Sequence, residues 1–212
     1  MRQLWMAAAM IAGLAACGQG ADGPPLPQVK AGATPPSTQS PASPTEQAQV
    51  TDEVRQQLIA QIGTYLGGYQ QQFAAGSSQI GADTIVPMQP GRDHRFLISL
   101  NSGAAYAFIG ACDNDCSNVD IELIDMNTGG VVANDMLPDD FPIASYRPNA
   151  NGQYMVRLLM QACTTSPCYA GVRVVSDTPQ AGAPGPATPS TTTPTSTGTS
   201  APAGNGGVPG KP

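Results

Sequence analysis

The chain has 212 residues, with 9 basic and 15 acidic side chains, a net charge of −6 and only 5% aromatic residues. That balance, without any Lys/Arg cluster, excludes nucleic-acid binding and electrostatic docking on anionic lipid headgroups, both of which need a basic patch. Glycine (24) and proline (21) are abundant, so part of the chain is unsuited to a packed core.

Met1-Arg2-Gln3 precede an apolar run from Leu4 to Ala16 that ends at Cys17. One positive charge ahead of roughly a dozen apolar residues has the form of an export signal, and the run is shorter than the ~20 residues needed to span a bilayer. A core helix would alternate its faces, whereas this run is apolar all round. Leu14-Ala15-Ala16-Cys17 resembles the bacterial lipobox. The resemblance implies removal of residues 1–16 as a signal peptide and acylation of Cys17, palmitate included, which anchors the chain in the membrane. Several acyl chains hold stably where one binds only marginally. Gly18 follows the cysteine where an Asp would signal inner-membrane retention, so the implied address is the outer membrane. Cleavage also removes Trp5, the only tryptophan.

Residues 17–50 are rich in Pro, Ser, Thr, Ala and Gln with almost no large apolar residue. They are expected to form a disordered tether. In polyproline geometry, the stretch from Ala21 to Gln49 would reach on the order of 90 Å. A helix is predicted over about 52–75, within a 51–76 segment. Thr51 caps it, Asp52 and Glu53 sit at its positive end, and Gly76 ends it. Val54, Leu58, Ile62, Tyr65, Tyr69 and Phe73 step by three or four and form one apolar stripe. Its two readings are a packing face against a sheet and a seam for self-association.

From Asp83 the period changes to two. Strands are predicted near 83–88, 94–100, 104–111, 119–125, 130–134, 142–147, 153–161 and 168–176, separated by Gly-, Asn- and Pro-containing turns. Val119, Ile121 and Leu123 alternate with Asp120 and Glu122. The 153–161 strand carries large residues on both faces and is placed centrally. Tyr106, Phe108, Tyr154 and Tyr169 are assigned to the core. The expected fold is mainly β: a β-sandwich or jelly roll of about eight strands over 83–176, preceded by one amphipathic helix. Residues 177–212, again Pro/Thr/Ser/Gly-rich, are expected to be a disordered tail.

Besides Cys17, four cysteines remain: Cys112, Cys116, Cys163 and Cys168. An even number in an oxidising compartment points to two disulfides, with three possible pairings. The favoured pairing is local, Cys112–Cys116 and Cys163–Cys168, because each pair flanks a short polar segment between strands. Loops this short would add only ~2 kcal/mol each. A zinc site built from the four thiols is the alternative, although the tight Cys-x2-Cys doublet is missing.

Four segments, Tyr106 to Cys116, Val119 to Asn127, Asp139-Asp140-Phe141-Pro142, and Gly152-Gln153-Tyr154-Met155-Val156, resemble the bacterial pre-peptidase C-terminal domain. The resemblance spans about residues 83–176 and implies a non-catalytic β-sandwich, of a kind that in some members binds calcium or a polymeric substrate. The two cysteine pairs are not general in that family, and no protease is attached here.

Between Phe96 and Tyr146 there are eight carboxylates and no Lys or Arg. Calcium suits such oxygen ligands. Its candidate ligands are Asp113, Asp115 and Asp120 around one loop, or Asp135, Asp139 and Asp140 around another. EF-hand spacing is absent, with Asn118 and Ile124 where Gly and Glu belong. The competing reading is that these aspartates stabilise turns. His94, the only histidine, has no nucleophile motif to serve, and a sugar-cleaving carboxylate pair would lack an aromatic platform. The sequence therefore points to a non-enzymatic, lipid-anchored envelope protein whose sandwich binds a protein or polymer. The alternatives are a structural spacer and a calcium-dependent accessory of a secreted protease system.

Overall fold

The structure, a computed structural model, describes residues 22–39 and 45–178. In chain order the elements are β1 (Glu46–Gln47), α1 (Asp52–Phe73), β2 (Ser78–Gln79), β3 (Thr84–Met88), β4 (Arg92–Leu100) and β5 (Tyr106–Cys112). They continue with β6 (Cys116–Asp125), β7 (Val131–Asp135), β8 (Ile143–Tyr146), β9 (Gly152–Cys163), β10 (Thr165–Ser166) and β11 (Cys168–Ser176). The eight longer strands are those the alternation predicts. β6 and β9 run further than expected, because Cys116 and Cys163 face each other as the last rung of their ladder.

Two antiparallel sheets pack face to face. One has the order β4-β9-β6-β7; in the other, β2-β11-β5-β8, the strand β3 also pairs with β11. Period-two alternation builds the core between them: Ile121, Leu123, Val156 and Leu158 of the first sheet meet Phe108, Val172 and Val174 of the second. Strand β9 lies between β4 and β6, and Tyr154 through Met160 are buried on both of its faces. Tyr106, Phe108, Tyr154 and Tyr169 are all buried, as expected of core residues.

Helix α1 covers the outer face of the β2-β11-β5-β8 sheet. The Thr51 hydroxyl accepts from the Val54 N–H at 3.4 Å and caps its first turn. Ile62 and Leu66 are fully buried against Ile109, Ala111, Tyr169 and Val175, so the stripe serves as a packing face. The buried seam differs from the predicted one at both ends. Leu66 belongs to it, one turn after Ile62, while Val54 and Phe73 remain 42% and 48% exposed. Gly67 leaves room where the Arg173 guanidinium approaches the helix: a Cβ there would stand 3.4 Å from Nη1. Arg173 is held by both oxygens of Asp83 and by Gln70.

The expected tether is the main point of difference. Residues 22–39 are laid as an extended strap along the outer face of the β4-β9-β6-β7 sheet. Asp22 bridges to β4 beside His94, and its carbonyl accepts from Arg95 N–H at 2.8 Å. Lys30 N–H donates to Thr128 O at 2.8 Å, Val131 N–H to Thr34 O at 2.9 Å, and Gln39 Nε2 to Arg92 O at 2.8 Å. Glu46–Gln47 pair in parallel with Thr165–Ser166, joining the stretch before the helix to β10. The strap carries prolines at 24, 25, 27, 35 and 36. Extended proline-rich backbone has no internal hydrogen bonds, so apart from the turn in which Ala33 N–H donates to Lys30 O at 3.1 Å, the strap bonds to the sheet instead. At the β6–β7 turn, Gly129 (φ 72°) admits the strap, since a Cβ there would collide with the Gln28 carbonyl.

The disulfides are Cys112–Cys116 and Cys163–Cys168, with Cα separations of 5.9 and 6.2 Å. All four thiols are thereby used, which leaves no ligands for the zinc alternative. Cys17, the segment expected to be a signal peptide and residues 179–212 lie outside the described residues.

Candidate functional site

Two surfaces concentrate chemistry, one on each side of the sandwich. Under the strap, the outward residues of β4, β6 and β9 form a buried ionic network. Arg157 Nη1 donates to Glu122 Oε2 and to the Ser37 carbonyl, both at 2.8 Å, and its Nε donates to Asp93 Oδ2. Arg95 donates to both oxygens of Asp93, at 3.0 and 3.1 Å. Ser37 N–H closes the set on Glu122 Oε1 at 2.9 Å. Burial by itself pushes the Asp93 carboxyl up, but the hydrogen bonds from Arg95 and Arg157 outweigh it and hold the group below the usual carboxylate range. Every charge here has a partner, so the network clamps the strap.

The predicted calcium ligands divide by role. Asp113 Oδ2 accepts from Tyr169 N–H at 2.6 Å, and Asp115 Oδ1 accepts from the Thr164 hydroxyl at 3.1 Å; together they tie the first disulfide loop to the second. Asp135 caps the turn into β8, accepting from Leu137 N–H at 3.2 Å and Ile143 N–H at 2.8 Å. Asp139 accepts from Phe141 N–H at 3.2 Å, and Asp120 accepts from Gln161 Nε2 at 2.6 Å. Asp113 Oδ1 and Asp120 Oδ1 are buried without a hydrogen-bond partner. Burial raises both carboxyls above their ordinary range, and Asp135, Glu122 and Asp139 add to the rise at Asp120. Among the described residues no three His, Cys, Asp or Glu side chains come together as a metal site. The Leu137 and Phe141 bonds are the local turn bonds that aspartate makes, whereas Asp113, Asp115 and Asp120 join segments distant in the chain.

On the helix side, three rings meet at the surface, Tyr69 half-buried against the core and Phe73 and Phe141 exposed. Tyr69 and Phe73 of α1 and Phe141 of the β7–β8 loop lie with centroids 5.5 to 6.4 Å apart, and Phe73 and Phe141 are stacked at 11°. Phe141 is 37% exposed, and Met136 and Leu137, exposed at 37% and 60%, belong to the same loop. Asp140 and Asp139 lie close enough that their charges, after burial, raise the Tyr69 hydroxyl. Beyond Phe73 a groove of about 360 Å³ runs past Ala105, Ser145 and Tyr146 to the Arg147–Asp177 ion pair. The loop is rigidly supported, because Asp135 and Asp139 bond its backbone and Gly110 N–H donates to Pro142 O at 2.7 Å.

Sequence reasoning placed Tyr69 and Phe73 in a stripe read as a packing face or a self-association seam and did not single out Phe141 as a site residue. The available signal was Phe141 itself, an aromatic residue inside an acidic turn. His94 is half-buried beside Phe96, with ring centroids 6.4 Å apart, and burial lowers its pKa. Compared with known proteins, the chain matches no family model, and no curated protein is significantly similar to it in sequence.

Proposed function

We propose that this is a non-enzymatic, lipid-anchored protein of the cell envelope whose sandwich presents the Tyr69–Phe73–Phe141 cluster to a protein partner. The ring cluster, with Phe73 and Phe141 exposed beside a half-buried Tyr69, is the observation that carries the reading. Large apolar side chains left in water next to one another on a folded domain favour recognition, and aromatic residues dominate the energetics of protein interfaces. The acidic rim at Asp139 and Asp140 selects a partner that presents apolar and basic side chains. Support also comes from the pre-peptidase resemblance, which implies a two-sheet sandwich without catalytic machinery. The lipobox at Leu14–Cys17 supplies the anchor.

The test is capture of a partner from envelope extract by the full chain, followed by purification of that partner and titration calorimetry. Replacing Phe73 and Phe141 together by Ser should weaken binding at least tenfold while leaving the melting temperature within a few degrees. Saturable binding that ignores both substitutions would move the site elsewhere. A chain that captures no saturable partner would leave the spacer reading in its place.

A further inference from the structure

We infer that the strap holds the β4-β9-β6-β7 face of the domain against the lipid bilayer, so that the aromatic cluster points away from the membrane. The inference rests on the lipid anchor proposed above and adds an orientation to it. Four residues, Gly18 to Ala21, separate Cys17 from Asp22. Covalent geometry limits that stretch to roughly 18 Å between the two Cα atoms. Had residues 22–39 been free, the domain could have stood several times further out. Their hydrogen bonds to the sheet instead move the point of attachment back to Asp22, on the outer edge of β4.

The composition of that face agrees with a lipid neighbour. Leu26 and Val29 of the strap and Leu97 of β4 are 37%, 42% and 42% exposed on the side from which the anchor emerges. The strap has one acidic and one basic residue, Asp22 and Lys30, and so is neutral in a chain of net charge −6. An acidic surface would be repelled by anionic headgroups, whereas a neutral one with apolar side chains can rest among them. Helix α1 covers the other sheet, so Tyr69, Phe73 and Phe141 lie on the far side.

The mature chain has no tryptophan once residues 1–16 are removed, which makes single tryptophans clean depth probes. The lipidated full chain carrying Leu97→Trp, Leu26→Trp or Phe141→Trp would be reconstituted in phosphatidylethanolamine/phosphatidylglycerol vesicles with a headgroup-attached quencher. Quenching at positions 26 and 97 should exceed that at position 141 several-fold. Inserting twenty Gly/Ser residues between Ala21 and Asp22 should abolish the difference. Equal quenching at 97 and 141 in a chain shown by mass spectrometry to be acylated would overturn the orientation alone. An N-terminal peptide without acyl mass would overturn the anchor and the orientation with it.

Discussion

Asp120 sits on the outward face of β6, 2% exposed, with one oxygen bonded to Gln161 and the other without a partner. Burial and the neighbouring Asp135, Glu122 and Asp139 raise its pKa, so the folded state holds its charge less readily than the unfolded chain does. A raised carboxyl pKa means stability that is present in acid and lost as pH rises through the folded pKa. Asp120→Asn should therefore raise the melting temperature at pH 7, with the gain disappearing below the ordinary value of 3.8. A melting curve unmoved at pH 7 would mean that the carboxylate is better solvated than its burial implies. Asp93 behaves in the opposite sense. Its arginine partners hold its pKa down, so its contribution is present above the ordinary carboxylate range and is lost in acid. His94, lowered by burial, destabilises the fold as pH falls below about its ordinary 6.5.

At the scale of elements, the strands and the helix were legible because their periods are local properties. Val119, Ile121 and Leu123 announce a buried face whatever they pack against. The strap was not legible, because its order comes from elsewhere: Thr128, Val131, Glu122 and Arg157 supply the hydrogen bonds that its own sequence lacks. Gly129 is the position at which this can be tested. Gly129→Ala would strain a φ of 72° and drive a methyl group into Gln28, costing on the order of 1–3 kcal/mol. The urea midpoint should fall, and trypsin should cut after Lys30 faster while cleavage at Arg55 in the helix stays unchanged. If both sites change together, the strap is not a separately detachable unit.

At the scale of the whole molecule, the sandwich has a cover on each side, helix on one and strap on the other, and two disulfides at one end. Cys116 and Cys163 are direct partners across β6 and β9, yet each is bonded within its own loop. Peptide mapping without reduction should recover Cys112 with Cys116 and Cys163 with Cys168, and a peptide joining Cys116 to Cys163 would contradict this arrangement. The sequence by itself determined the mainly β class, the strand positions, the capped helix and the local cysteine pairing, because alternation, capping and short loops act between residues close in the chain. Only the tertiary structure decided that a proline-rich stretch is ordered, that the aspartates divide between turns and strand β6, and that rings from the helix and the β7–β8 loop meet at the surface. The strap and the ring cluster depend on residues far apart in the chain being brought together, as Ser37 with Arg157 (120 apart) or Phe73 with Phe141 (141 − 73 = 68 apart), and no local pattern encodes which distant groups will supply the missing partners.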